Sequence, residues 1–458
     1  MNKKSCYLLG AVLALSSPLV MAEGDKETEL KAQADSTSAS LKKLEKQIKR
    51  NKKKFKKLSD SLATEKERVQ FNGFITVGAT VADDDLGTGY HFSDRPNFIS
   101  DSKVGLQTVY KLSDNMDATV QLVARSRSSD SWNIDAEWAY LSYEVTDWAK
   151  VRVGKLRIPF YLFSESIDVG FAYPWARPPV DMYTTLITAF DGMDVTFKVN
   201  TGPVSHNIQL WAAATTNTDS DAATDIDFYD TYGLNVTSSW NDFTVRLGAT
   251  QLKLEGTSTV ELSSSDFGSP AGIPNDPTTG IDFLSAAATC TNNYQADDLL
   301  ALVGAGPGPA GLACLNFDLT APFVENLGYY TAALQYDDGS LFAILEASAL
   351  DAKFGAFIGD GRVHVATVGY RIGNWTPYLM SGQTQSKPSA QESTGTERRS
   401  GSLGLRYGLN DSTAITAEWN RFYNMEGDGG FSSEALAASG KTDLPDSNVY
   451  SITIDAVF

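Results

Sequence analysis

The end of the chain sets the strongest constraint on its fold. Tyr450, Ile452, Ile454, Ala456 and Phe458 alternate one for one with Ser451, Thr453, Asp455 and Val457. A period of two places one set on each face of a β-strand, here apolar against largely polar. From residue 71 onward, segments of about ten residues repeat this alternation. They are separated in turn by tight turns, such as Ser113-Asp114-Asn115, Thr201-Gly202-Pro203, Asn241-Asp242 and Asn410-Asp411, and by longer polar loops. A soluble sandwich can show the same alternation. Beyond residue 22 no stretch of about 18 consecutive apolar residues occurs, so a membrane could be crossed only by a closed barrel. Sixteen strands can be placed between 71 and 458. The Ser, Gly, Asp and Pro-rich stretch 255–325 has room for another pair, so eighteen is the alternative.

The front of the chain is a different object. Residues 1–70 carry 16 Lys+Arg against 9 Asp+Glu, and residues 71–458 carry 22 against 47. Residues 1–22 read as a secretory signal, with Lys3 and Lys4 at its start, an apolar run from Leu8 to Val20, and small residues before Glu23. The mature chain is therefore expected outside the cytoplasm. Cys6 goes with the signal, which leaves Cys290 and Cys314, expected to be a disulfide because no His or third Cys lies near them to share a metal.

Over 23–70 the period changes to three and four. Leu41, Leu44, Ile48, Phe55, Leu58 and Leu62 fall on a heptad seam that also holds Asn51, and Ala34 and Val69 extend the frame. Lysines flank the stripe, and a helix this basic cannot bury it alone. The expectation is a periplasmic coiled coil that draws copies of the chain together; a solvated linker is the plainer alternative. The same lysines could touch the anionic cell wall.

Between the fifth and sixth strands, 156–189 holds Phe160, Tyr161, Phe163, Phe171, Tyr173, Trp175 and Tyr183 together with four prolines. So apolar and stiff a loop is expected to fold into the barrel lumen. With sixteen strands, an aromatic last residue and a third long loop of this kind, 71–458 resembles the Gram-negative trimeric porins. The resemblance implies a homotrimeric outer-membrane channel for passive diffusion of small hydrophilic solutes, surrounded by outer-membrane lipid and lipopolysaccharide. It also implies that Phe458 is the signal read by the barrel assembly machinery. Many general porins lack a basic coil at the front, so the coil's contacts do not follow from the resemblance.

In such channels, charges on the inward loop face opposite charges on the wall and filter solutes by size and charge. Strand parity turns Lys103, Arg125, Arg127 and Arg152 inward, opposite to Val104, Leu106, Val120, Leu122, Val151 and Val153. Arg157 follows at the strand end. The loop supplies Glu165, Asp168 and Asp181, with Arg177 able to pair with one of them. For Arg157, Arg177 and Asp181, fastening the loop to the wall is as good a role as touching solute.

Other classes fare poorly. The acidic body lacks the basic surface that nucleic acid needs. Only His91, His206 and His364 occur, with no catalytic or metal-binding spacing, so neither catalytic residues, a metal nor a cofactor is expected. Gly306 to Gly311 matches a dinucleotide pattern in form only, since prolines at 307 and 309 forbid its geometry. Two competitors remain: an anion- or phosphate-selective porin, which needs a ladder of inward Lys and Arg that the acidic balance opposes, and a structural tether whose barrel only anchors the basic coil.

Overall fold

In the computed structural model the described residues are 23–83, 92–126, 132–183, 188–217, 224–262, 317–352, 359–388, 395–426 and 443–458. The signal segment, His91, Arg127, Cys290, Cys314 and the glycine-rich stretch at 306–311 lie outside them. The chain divides after Arg68 into two units.

The first is one helix, α1 (Glu23–Arg68), about 69 Å long at about 1.5 Å per residue. Its seam side chains Leu41, Leu44, Ile48 and Phe55 are 51–75% exposed, and Asn51 is exposed beside them. The side chains of Leu58 and Leu62 lie outside the described residues. Val69 leaves the heptad frame: it opens the first strand and pairs with Tyr110. The helix and strand patterns therefore meet at 68/69, two residues before the boundary expected at 70/71.

The second unit is a closed barrel of sixteen antiparallel strands in sequence order. The first eight are β1 (Val69–Ala82), β2 (Lys103–Ser113), β3 (Met116–Ser126), β4 (Trp132–Thr146), β5 (Ala149–Arg157), β6 (Ala189–Thr201), β7 (Val204–Asn217) and β8 (Thr224–Trp240). The second eight are β9 (Phe243–Leu262), β10 (Phe317–Asp337), β11 (Leu341–Ala352), β12 (Gly361–Tyr370), β13 (Trp375–Ser386), β14 (Glu397–Asn410), β15 (Thr413–Glu426) and β16 (Ser447–Val457). The sixteen strands expected are the sixteen of the barrel, and the stretch 255–325 partly lengthens β9 and β10, which pair from Tyr336↔Phe243 out to Phe317↔Leu262.

β16 closes on β1 from Phe74↔Val457 to Ala82↔Val449, and Phe458 adds two backbone hydrogen bonds with Gly73. The Phe458 ring remains 74% exposed. Burial follows the pleat clearly on β1, β11, β12, β15 and β16. Ser451, Thr453 and Asp455 are buried inward, whereas Tyr450, Ile452 and Ile454 are exposed outward, as a membrane-facing wall requires.

Two irregularities shape the interior. A register shift between Gln121 and Leu122 sets both Glu137 and Trp138 of β4 against one position of β3, and Glu137 becomes fully buried inside. At Gly154 the backbone takes φ +133°, where a Cβ would strike the Ala139 carbonyl. Alternation breaks there, and Leu156 and Arg157 are both buried.

Candidate functional site

Residues 158–183 fold against the inner wall, as their composition predicts. They form two short 3-10 turns, Ser164–Ser166 and Gly170–Ala172, and a single helical turn, α2 (Val180–Tyr183). Phe160, Tyr161, Tyr173, Trp175 and Tyr183 are at most 7% exposed and pack with Trp211, Phe190 and Tyr378 of the wall. The Trp175 indole donates to Thr367 at 3.0 Å. These rings are core, not a solute-facing surface.

Polar groups fix the loop backbone at several points. Arg406 on β14 donates to the carbonyls of Gly170, Phe171 and Tyr173 at 2.9–3.3 Å. Arg246 on β9 donates to the Pro159 carbonyl at 2.6 Å. Glu346 on β11 accepts from the Leu162 amide and the Tyr183 hydroxyl, and Glu418 on β15 accepts from the Ala176 amide and the Tyr378 hydroxyl. Gly170 lies so close to Asp455 and Thr76 that any Cβ there would collide with them.

The charges expected at the constriction divide into three groups. Arg125 and Arg157 both pair with Asp168 of the loop and with Glu137 of β4, forming a four-member cluster whose side chains are 2–15% exposed. Arg177 pairs in bidentate fashion with Asp101, at 2.7 and 2.6 Å, and also reaches Thr80 and Ser451. Asp181 accepts from Arg398 of β14 at 3.0 Å, from Thr384 at 3.2 Å and from Ser400.

Arg157, Asp168, Arg177 and Asp181 are all buried in ion pairs between loop and wall, so of the two roles open to Arg157, Arg177 and Asp181 their burial fits fastening, and Asp168 shares it. Arg177 pairs with the first loop, not with a carboxylate of its own loop. Alternation shows which face a side chain takes, but not what packs over it.

The third group faces the remaining space. Arg152 is held by Asp194 of β6, with contacts of 2.5–3.1 Å, and by Glu165 of the loop at 3.0 Å. The Glu165 side chain is 52% exposed inside the barrel, so the loop leaves the lumen partly open beside it. Lys103 points inward and donates to the Tyr173 hydroxyl at 3.1 Å.

Asp101 lies in the loop between β1 and β2. Burial pushes its carboxyl up, but the charge and hydrogen bonds of Arg177, with a hydrogen bond from Thr80, outweigh that and hold it below the usual carboxylate range.

Sequence reasoning missed Asp101, Glu137, Asp194, Glu346, Arg246, Arg398, Arg406 and Glu418. Parity could have found Asp194 and Arg406, on segments whose neighbours alternate clearly. Glu137 was hidden by the bulge. No metal-holding cluster of three or more His, Cys, Asp or Glu occurs among the described residues. His206 bonds to Thr201 and Ser238, and His364 lies on the outer wall.

No family model matches the chain, and no curated protein matches it significantly. Among solved structures it is similar to outer-membrane expressed OmpT of Vibrio cholerae, with TM-score 0.50 and 13% identity over 85% of this chain and 97% of the other. It is also similar to an anion-selective porin from Comamonas acidovorans, with TM-score 0.48 and 12% identity over 85% and 99%. A third is the outer membrane channel DcaP of Acinetobacter baumannii, with TM-score 0.47 and 12% identity over 85% and 97%. The chain therefore shares its closed sixteen-stranded barrel fold with outer-membrane expressed OmpT of Vibrio cholerae.

Proposed function

We propose that the protein is an outer-membrane porin that lets small hydrophilic solutes diffuse passively through a barrel narrowed by residues 158–183. One observation carries the reading: Glu165 is half exposed in the middle of an otherwise tightly fastened loop. A complete plug, as a structural tether would have, leaves no such carboxylate facing open space. The inward arginines near the loop each have a carboxylate or carbonyl partner, which speaks against a ladder of free cations and hence against a phosphate-type channel. Arg152 and Glu165 are the proposed filter, with Lys103 and Arg125 behind them.

The exposed seam of α1 supports a second element. Its exposed Leu41, Leu44, Ile48 and Phe55 would gain burial against copies of the same helix, and the reading is a homotrimer held partly by this periplasmic coil. The test is solute entry into liposomes carrying the full-length protein. Swelling should be fast with small sugars and slow down with solute size. Swelling no faster than in protein-free liposomes overturns the porin reading.

A further inference from the structure

The charge of α1 is concentrated on the side away from its seam. In the heptad frame set by Leu41, Leu44, Ile48 and Phe55, the b positions are Lys42, Lys49 and Lys56 and the c positions are Lys43, Arg50 and Lys57. Both f positions of this stretch, 46 and 53, are lysines as well. From 42 to 57 every position that points away from the seam is therefore a cation, over about 23 Å of helix at about 1.5 Å per residue. Glu45, at an e position, is the one acid in that span. All these side chains are exposed, and those at b, c and f stay exposed when seam meets seam.

Such a face repels itself. Lys42 and Lys46, Lys46 and Arg50, and Lys49 and Lys53 are like charges at i and i+4, about 5–6 Å apart at Cβ and inside the screening length of about 8 Å in physiological salt. Outside the belt the helix mixes its signs, with Lys26 beside Glu27 and Lys66 between Glu65 and Glu67. A polymer carrying many negative groups relieves the repulsion along the whole belt. One exposed ion pair is worth little, but a row of them on one helix face binds a polyanion through many contacts at once.

Two observations choose among polyanions. No e or g position from 38 to 61 is apolar, so the apolar stripe is a and d alone, the width of a coiled-coil seam and too narrow for a helix lying in a lipid surface. The belt is also confined to one compartment. The first strand starts, and the last ends, at the rim that carries the short turns after β2, β4 and β6, which in such barrels is periplasmic. Lys42 to Arg68 is about 39 Å of helix, so the belt lies within that distance of the rim at any angle of the helix.

We propose that the basic belt of α1 docks onto peptidoglycan, the carboxylate-bearing polymer of the periplasm, with its outward lysines meeting free carboxylates of the stem peptides. The proposal rests on the coil reading above and gives the channel a second function, fastening the outer membrane to the cell wall.

The test is co-sedimentation of the full-length protein, in mild detergent, with insoluble peptidoglycan sacculi. The wild type should pellet with them, and its affinity should fall at least about tenfold when salt is raised from about 50 to about 500 mM. Amidating the carboxyl groups of the sacculi should abolish binding. Lys46→Gln, Lys49→Gln, Lys53→Gln and Lys56→Gln together leave the seam untouched and should weaken binding at least about tenfold, whereas Lys→Arg at the same four positions should keep it. Conductance should stay at the wild-type value in both variants. A wild type that remains in the supernatant, or a glutamine variant that pellets as well as the wild type, overturns the proposal. So does release from sacculi by phosphatidylglycerol micelles at concentrations as low as those of soluble peptidoglycan fragments, which would make the belt a lipid surface. A trimer that ignores sacculi removes the contact and leaves the coil. A monomer that pellets with sacculi but not with amidated ones removes the coil and leaves the contact.

Discussion

Asp168 is the point where the inward loop can be released most selectively. Its carboxylate pairs with Arg125 and Arg157, and Glu137 completes a cluster of two positive and two negative groups. Asp168→Asn leaves two guanidinium groups against one carboxylate in a site where Arg157 is 3% exposed and Glu137 is 2% exposed. Removing one partner of such a buried pair costs about 3–5 kcal/mol. At about 1.4 kcal/mol per tenfold, the loop's undocked population around residues 164–169 should rise by about two to three and a half decades. Fastening by Arg406 and Glu418 persists, so the barrel itself should still fold.

Single-channel recording in a planar bilayer reads this directly. The variant should show added open-channel noise and excursions to a larger conductance. Pairing Asp168→Asn with Arg157→Met restores the charge balance and should remove part of that noise. Traces from Asp168→Asn that match the wild type in level and noise would refute the role given to the cluster.

Other consequences follow from single contacts. Glu165→Gln removes an accessible carboxylate from the lumen, and a unit charge at about 4 Å in water is worth about 1 kcal/mol, so the cation-to-anion permeability ratio should fall by up to about fivefold at low salt, read as a reversal-potential shift. The Asp101 carboxyl sits below its ordinary range in the fold, so its pairing with Arg177 stabilises the loop above the unfolded carboxyl's range and is lost only as pH falls through the lower folded value. Conductance should therefore hold steady from pH 7 to about pH 5 in the wild type, whereas Asp101→Asn should be noisy across that range. Deleting residues 23–68 should leave single-channel conductance nearly unchanged and lower the temperature at which the oligomer dissociates on a gel. An unaltered dissociation temperature would remove the coil from assembly.

The barrel was legible because a wall with lipid on one side and polar groups on the other writes its period into every strand. Lys103, Arg125 and Arg152 could be turned inward from that parity alone. What parity cannot carry is register between distant segments. Asp101 finds Arg177 from 76 positions away, and Asp181 finds Arg398 from 217 away, so both pairings needed the closed barrel. Local breaks hid the rest: the bulge at Gln121 added Glu137 to the interior, and Gly154 let Arg157 follow Leu156 inward. Val69 satisfied the heptad frame by coincidence, since a single residue at a helix-to-strand junction fits either period. The outer ends of β9 and β10 read as loop because a hairpin beyond the apolar band has no need to alternate.

The central claim is that the lumen beside residues 158–183 is open to ions. Planar-bilayer recording of the full-length protein, purified in mild detergent and imposed on a salt gradient, tests it most directly. The account predicts large ohmic steps that close in thirds. A silent bilayer from protein that is folded and heat-modifiable would contradict it.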